Sequence, residues 1–333
     1  MIKAYAAHEA GGEFKPYEYD PGELTEHEVE IEVAHCGVCH SDYSMWKNAW
    51  GMSSFPFVGG HEVAGFVARK GRLVDHLQVG DRVGLGWHKG YCLSCQESLR
   101  GDHNLAPDID MTIVGNQGGF ADKVRAQDTS VIKLPDGMDL AAAAPLMCAG
   151  VTVFNPLLQL DIKPTDHVAV LGIGGLGHLA LKFARAWGCE VTAFTSESKM
   201  DEALSLGAHN CVNSRDKSAV AAASNRFDLI ISTVDVALDW NLILTTLKPK
   251  GRLHMVGAVK EPLGVDVFPM LLGQKSISGS PVGSPSTLNL MMEFAVRHNI
   301  KPVTEHFKFD QINDAFARLE SGQARYRIVL DRE

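Results

Sequence analysis

Three short segments carry metal-capable side chains beside turn glycines: GVCHSD with Cys39, GGHEVAG with His61 and Glu62, and PLMCAG with Cys148. Two thiolates and one imidazole fill three corners of a tetrahedron around zinc. The fourth corner is left to water or substrate, which marks a catalytic rather than a structural site. Taken singly, each residue has an ordinary explanation: a cysteine in an apolar run is commonly a small buried hydrophobe, and a lone histidine a satisfied one. Their combination points to zinc.

A second chemistry lies further along. VAVLGIGGLGHLALKFA places Gly172, Gly174 and Gly177 in G-x-G-x-x-G register, with Gly175 inside the turn. The triplet follows an apolar strand pattern and opens a helical one. The first glycine permits the tight turn, the second lets a pyrophosphate approach the backbone, and the third allows close helix–sheet packing. The exposed N–H groups at the helix start then face the anion, so dinucleotide binding is expected. Sites that prefer NAD place an acid about 20 residues on, at the end of the second strand, to bind the ribose 2′-OH. Here that strand ends in Phe194, Thr195 and Ser196, with Lys199 close behind. Hydroxyls and a cation suit a 2′-phosphate, so NADP(H) is the expected cofactor. Glu197 would repel that phosphate if it pointed inward, and Lys199 alone would read as a solvated lysine at a helix start.

The elements that must position these residues follow from the pattern around them. The first 150 residues carry short β-like runs at 29–33, 63–69, 81–85 and 130–134, separated by Gly, Pro and Asp, as in a mostly β domain with many turns. Near Asp166 strands and helices begin to alternate. Strands are expected at 167–171, 190–195, 229–234 and 252–256, and helices at 176–187 and 199–206, the latter stopped by Gly207. Repeated βα units imply a parallel, doubly wound sheet. After Lys275 comes the irregular SISGSPVGSPS, then helical segments at 286–298 and 311–321 and a closing RYRIVLD. The simplest topology inserts an α/β domain, 151–285, into a β-rich domain made of 1–150 and completed by 286–333. Residues 140–160 carry no charge and are long enough to cross a bilayer. Pro145, Gly150, Asn155, Pro156 and Gln159 would interrupt such a helix, so a buried strand-and-turn segment is expected instead.

Bulk properties narrow the class. The chain has 333 residues and a net charge of −9, which argues against a basic nucleic-acid or anionic-membrane binder. Its 7 scattered cysteines suit a reducing compartment rather than a disulfide scaffold. The N-terminus, MIKAYAAHEAGGEF, lacks the apolar run of a signal peptide. A soluble cytoplasmic protein is expected.

GVCHSD, GHEVAGFV, VGDRVGLG, PLMCAG, GIGGLGHLALKFA and RYRIVLD, in this order and spacing, resemble the zinc-dependent medium-chain alcohol dehydrogenase/reductase family, and within it the cinnamyl-alcohol-dehydrogenase-like NADP(H) branch. The resemblance covers essentially the whole chain. It implies an α/β protein in which a GroES-like, β-rich catalytic domain surrounds a nested, doubly wound Rossmann domain. It makes Cys39, His61 and Cys148 the ligands of a catalytic zinc, with Glu62 in or just outside the ligand shell and able to replace water. Asp42 would orient a zinc-side group from behind. Ser41 would start a proton relay, with the ribose hydroxyl and His40 as its continuation. Val256, Gly257 and residues 279–284 would lie on the nicotinamide side. Trp87 and Met111, with Trp50, Leu272 and Val282 as further candidates, would line the substrate channel. Such large apolar side chains favour aromatic or medium-chain primary alcohols and aldehydes, and NADPH favours aldehyde reduction. The strand at 276–280 would pair two copies into a homodimer.

The chain departs from the family pattern in two places. The family's second zinc site uses four cysteines; Cys92 and Cys95 fit, but Ser98 and Ala106 stand at the other two positions. Two cysteines cannot close a structural site. His88 and His103 are candidates to complete an irregular one, but the expected outcome is a lobe that folds without metal and one zinc per chain. Ser44 stands where many branch relatives carry histidine, which leaves His40, Ser44 or water as the outer end of the relay. Three competing functions fit less well. Thr195 in place of an acid weakens an NAD-linked secondary-alcohol or polyol dehydrogenase. The zinc ligands weigh against a zinc-free quinone or enoyl reductase. The retention of Ser41, Glu62 and all three ligands weighs against a non-catalytic dinucleotide-binding relative.

Overall fold

The structure is a computed structural model describing residues 1–332, and it resolves into two compact units: Met1–Val151 with Val282–Glu333, and Thr152–Pro281. Residues 282–285, assigned by the sequence pattern to the inserted domain, fall in the first unit.

The first unit is built on a seven-stranded sheet. Its strands run in the order Thr304–Lys308, Arg327–Asp331, Glu28–Val38, Val63–Lys70, Arg82–Leu85 and Val131–Lys133, with Lys123–Gln127 also paired to Glu28–Val38. Along the long central strand Val29, Ile31 and Val33 are buried at the period-two spacing of a pleated strand. Beyond the sheet, Phe14, Trp46, Phe120 and Phe316 pack ring on ring, with Phe14 and Phe316 4.6 Å apart. This cluster seats the short helix His40–Trp46 directly after the central strand.

Register brings distant segments to one point. Val38 pairs with Ile328 and Cys36 with Val63, so the residues just past or before these pairs (Cys39, Arg327, His61 and Glu62) converge at one end of the sheet. Gly37 is required here, because a Cβ at that position would lie 2.0 Å from Glu62 Oε2.

One sequence expectation fails. Residues 140–159 form a continuous helical run rather than a strand and turn: α-helix Leu140–Pro145, a π-helical turn Leu146–Gly150, and α-helix Val151–Gln159. The run is apolar and long enough to cross a membrane, yet it is almost wholly buried within the protein. Four consecutive alanines favour helix strongly, and Asp139 caps the start by accepting the Ala141 N–H at 3.0 Å. Pro145 falls at the junction with the π turn, where the regular hydrogen-bond ladder is already being reset. Such π turns often occur at functional sites, and this one carries Cys148.

The second unit holds a six-stranded, all-parallel sheet. Numbered within the unit, its strands are His167–Leu171, Glu190–Thr195, Asn210–Asn213, Phe227–Ser232, Leu247–Met255 and Ser276–Gly279, and their spatial order is 3-2-1-4-5-6. That order is the doubly wound nucleotide-binding arrangement, with its switch point between strands 1 and 4. The strands are nearly continuous apolar runs, as a sheet covered on both faces requires. Helix Gly177–Trp187 follows strand 1 and ends at Gly188, in the left-handed conformation. The expected helix at 199–206 is shorter, Met200–Ser205, preceded by a 3₁₀ turn Glu197–Lys199.

Candidate metal centre and nucleotide-binding turn

Cys39, His61, Glu62 and Cys148 offer ligand atoms that all lie within 4.8 Å of one another, and all four residues are buried. Cys39 is delivered by the end of the central strand, His61 and Glu62 by the loop leading into Val63–Lys70, and Cys148 by the π turn. The sequence reading took Cys39, His61 and Cys148 as candidate ligands with Glu62 in or just outside their shell, and the fold places all four together.

Asp42 organises the cluster from behind. This fully buried carboxylate accepts the Cys39 N–H at 2.9 Å and the Gly60 N–H at 2.8 Å, and it sits 3.0 Å from His61 Nδ1. Donation from Nδ1 fixes the tautomer and leaves the Nε2 lone pair facing the thiols. His61 Nε2 is itself buried without a hydrogen-bond partner, as is Glu62 Oε2. Orphaned buried acceptors are costly, and a dication among them would satisfy both. The donor set therefore fits zinc.

Electrostatics agree. The Cys148 thiol donating to Cys39, helped by the nearby Arg327 charge and opposed by burial, holds Cys39 well below the usual thiol range. The same pairing, together with burial, pushes Cys148 well above it. Without a cation the pocket supports one thiolate; a bound dication favours two.

Arg327 is the functional residue that sequence reasoning missed. It is fully buried at the start of the closing strand and donates to Glu62 Oε1. Burial pushes the Glu62 carboxyl up to about 8, against the pull of Arg327 and with the Cys39 charge adding to the rise. The guanidinium stays protonated under the attraction of Glu62 and Cys39. RYRIVLD contained the signal, an arginine opening an otherwise apolar strand, but only the long-range register shows what that arginine faces.

The remaining expected residues divide. Ser41 Oγ lies 3.8 Å from Cys39 Sγ. His40 is exposed and packs against Tyr43, whereas Ser44 is buried on the inner side of the same helix. Trp87 packs edge-on against His61 with ring centres 4.8 Å apart, and Trp50 stands 6.2 Å from Trp87. Met111 pairs with His88 beside Trp87 and is half-buried. Val282 shares a small cavity with Trp87, Met147 and Leu288. Leu272 is 74% exposed on helix Val267–Gly273, alongside the similarly exposed Val267, Phe268 and Leu271.

The second cysteine pair is arranged differently. Cys92 Sγ accepts the N–H groups of Ser94 and Cys95 at 3.4 and 3.1 Å, and Cys95 Sγ lies 3.3 Å from Ser98 Oγ. The nearby third ligand atom comes from Asp108, not from His88 or His103. Both histidines pack on Tyr91 instead, with ring centres 5.6 and 5.4 Å away. Burial lowers the pKa of His88 to about 4, so it is neutral. Two sulfurs and an exposed carboxylate do not close the four-ligand shell of a structural zinc.

In the second unit the glycine turn has the shape its sequence requires. Gly172 has φ +89°, and a Cβ on Gly177 would lie 1.9 Å from Gly172 O. A Cβ on Gly174 would meet nothing within 4 Å, so the turn keeps open space beside the start of helix Gly177–Trp187. Thr233 Oγ1 pins the turn by donating to Gly172 O at 2.9 Å. Val256 and Gly257 each donate their N–H to Ser232 O, which holds the loop after strand 5 over the end of strand 4. An open cradle at a helix N-terminus fits a pyrophosphate. Thr195 closes strand 2 and is buried, Ser196 is half-buried, and Lys199 Nζ bends back to Ile173 O at 3.4 Å.

Comparison with known proteins is consistent with both halves. The sequence profile of the alcohol dehydrogenase GroES-like domain matches residues 25–136, and that of the zinc-binding dehydrogenase matches 175–297. An aldehyde reductase of Synechocystis is 60% identical over 331 residues, covering 99% of this chain and 98% of the relative. A cinnamyl alcohol dehydrogenase of Sorghum bicolor has the same fold at TM-score 0.95 and 37% identity, covering 99% of this chain and 97% of that one. A cinnamyl alcohol dehydrogenase of Helicobacter pylori, solved with NADP(H), matches at TM-score 0.91 and 28% identity, with coverage of 99% and 97%. The GroES-like and Rossmann-type architecture expected from the sequence is therefore the observed one.

Proposed function

The chain belongs to the medium-chain alcohol dehydrogenase/reductase family, in its cinnamyl-alcohol-dehydrogenase-like branch, and we propose that it is a zinc-dependent, NADP(H)-linked reductase of primary aldehydes. It would act on aromatic or medium-chain substrates and be reversible toward the alcohol. The observation that carries this reading is the orphaned His61 Nε2 between two cysteines, its other nitrogen tied to Asp42.

Cys39, His61 and Cys148 would hold zinc, and residues 172–177 would hold the dinucleotide pyrophosphate. When bound, zinc supplies a Lewis acid for the substrate oxygen and NADP(H) supplies or accepts hydride. The chain's own part is positioning and proton handling. Asp42 keeps the imidazole oriented. Trp87, Trp50 and Met111 provide apolar surface that suits an aromatic ring and excludes water. Ser41 hands the proton outward, and exposed His40, rather than buried Ser44, connects it to solvent. Arg327 holds one Glu62 oxygen and leaves the other facing the ligands. Thr195, Ser196 and Lys199 would surround the 2′-phosphate. A cytoplasmic homodimer with one zinc per chain completes the proposal; the strand Ser276–Gly279 has a free edge of the kind two copies can pair.

The test is reduction of cinnamaldehyde and benzaldehyde with NADPH and with NADH. The expected result is turnover with a kcat/KM preference for NADPH of about tenfold or more, the scale of charged hydrogen bonds to one phosphate. Turnover with NADH alone, or on polyols only, would contradict it.

A further inference from the structure

We propose that Arg215 is a specificity residue for the cofactor's 2′-phosphate, a second cation supplied by the neighbouring strand in addition to Lys199. The proposal rests on the NADP(H) reading above and deepens it.

The argument starts from sheet register. Strands Glu190–Thr195 and Asn210–Asn213 are parallel, with Thr195 opposite Asn213, and the Ser214 N–H donates to Thr195 O at 2.9 Å. The residues following both strands therefore emerge side by side. Between them lies an open cavity of about 460 Å³ lined by Ser196, Glu197, Ser198, Asn213 and Arg215. In a doubly wound sheet the adenosine ribose sits at the carboxyl end of the second strand, and a nearby arginine can accommodate a phosphate on its 2′-oxygen. Arg215 emerges beside that strand end, in one cavity with Ser196 and Ser198.

The chemistry of the lining fits a phosphate. Ser196 and Ser198 bring their hydroxyl oxygens within 3.2 Å of each other, a pair of donors ready to turn onto one anion. Asn213 Oδ1 accepts the Arg215 N–H at 3.1 Å and fixes the bend that carries the arginine to the rim. The adjacent acid, Asp216, is committed elsewhere: it caps helix Lys217–Ala222 by accepting from the Ser218 and Ala219 N–H groups and the Ser218 hydroxyl. Lys199, which follows the same loop, bends toward the glycine turn through Ile173 O at 3.4 Å. Arg215 is thus the cation that lines this cavity with the serines, and a guanidinium binds phosphate in two-point fashion where an ammonium acts as a point charge. Glu197 lies in the same cavity and opposes the phosphate. A lone lysine would be offset by that carboxylate, whereas two cations leave a net positive site.

The test uses the zinc-loaded full chain and reads binding, not turnover. Dissociation constants for NADPH, NADH, 2′,5′-ADP and 5′-AMP are measured by titration calorimetry for the parent, Arg215→Gln, Arg215→Lys and Lys199→Gln. Arg215→Gln is expected to weaken NADPH and 2′,5′-ADP about tenfold, with NADH and 5′-AMP unchanged within about twofold. Arg215→Lys should recover part of the loss. Arg215→Gln binding NADPH and 2′,5′-ADP like the parent, while Lys199→Gln loses both, would overturn the proposal and leave the NADP(H) reading standing. A parent that binds 5′-AMP as tightly as 2′,5′-ADP would overturn both together.

Discussion

Two cysteine clusters in the first unit use the same residue types and reach opposite ends. At Cys39, His61 and Cys148 every candidate ligand is buried, three separate segments converge, and Asp42 and Arg327 stand behind them with hydrogen bonds that fix orientation. At Cys92 and Cys95 both sulfurs come from one loop and are only half-buried, and they are already occupied by the loop's own N–H and hydroxyl groups. The histidines near that loop belong to Tyr91, not to the cysteines. A metal centre therefore depends less on how many cysteines and histidines lie close in sequence than on whether their acceptors are left unsatisfied in the fold. His61 Nε2 is unsatisfied, and Cys92 Sγ is not.

The largest expected break in this contrast is Cys39→Ala. It should remove the proposed catalytic zinc and lower kcat by about 10³-fold or more, since the Lewis acid would supply several kcal/mol. NADPH affinity should remain at the parent value in a calorimetric titration, because the glycine turn is untouched. Loss of both would indicate a misfolded chain and void the comparison.

Asp42→Asn should fall next. It keeps the shape behind His61 but no longer accepts as a carboxylate, so zinc affinity or activity should drop about 10–100-fold. Competition with a chromogenic chelator reads this directly. Unchanged affinity would mean that the imidazole is oriented by packing against Trp87 alone.

His88→Phe sharpens the other side. The folded pKa of about 4 lies below the ordinary value near 6.5, so the protein prefers this ring neutral. Above about pH 6.5 both states are neutral and nothing is lost. As pH falls from there toward 4, the unfolded chain takes up the proton first and stability declines, by about 2 kcal/mol at pH 5. The variant should narrow the fall in Tm between pH 7 and pH 5 while leaving zinc content unchanged. A loss of zinc would make His88 a ligand, which its packing on Tyr91 contradicts.

Much of this site was legible because its signals are local. Cys39, His61, Cys148 and the 172–177 turn each sit in a short run whose glycines are themselves geometric requirements, as Gly37 against Glu62 and Gly177 against Gly172 show. The parallel, doubly wound character of the inserted sheet was readable from alternating strand and helix periods, although strand Asn210–Asn213 was not among those expected. What the sequence hid depends on long-range pairing. Arg327 faces Glu62 only because the closing strand pairs with Val38, and Arg215 reaches its cavity only because Asn213 lies opposite Thr195. Residues 140–159 were misread because prolines were taken as interruptions, when alanine propensity and a π turn absorb one of them.

Zinc per chain, measured by elemental analysis on a sample that also reduces cinnamaldehyde with NADPH, tests the central contrast most directly. One zinc with turnover is the predicted result: the buried cluster is filled and the loop cluster is not. Two zincs would contradict the contrast, because Cys92, Cys95 and Asp108 would then have found a fourth ligand. A folded, NADPH-binding sample with no zinc would contradict the metal centre itself.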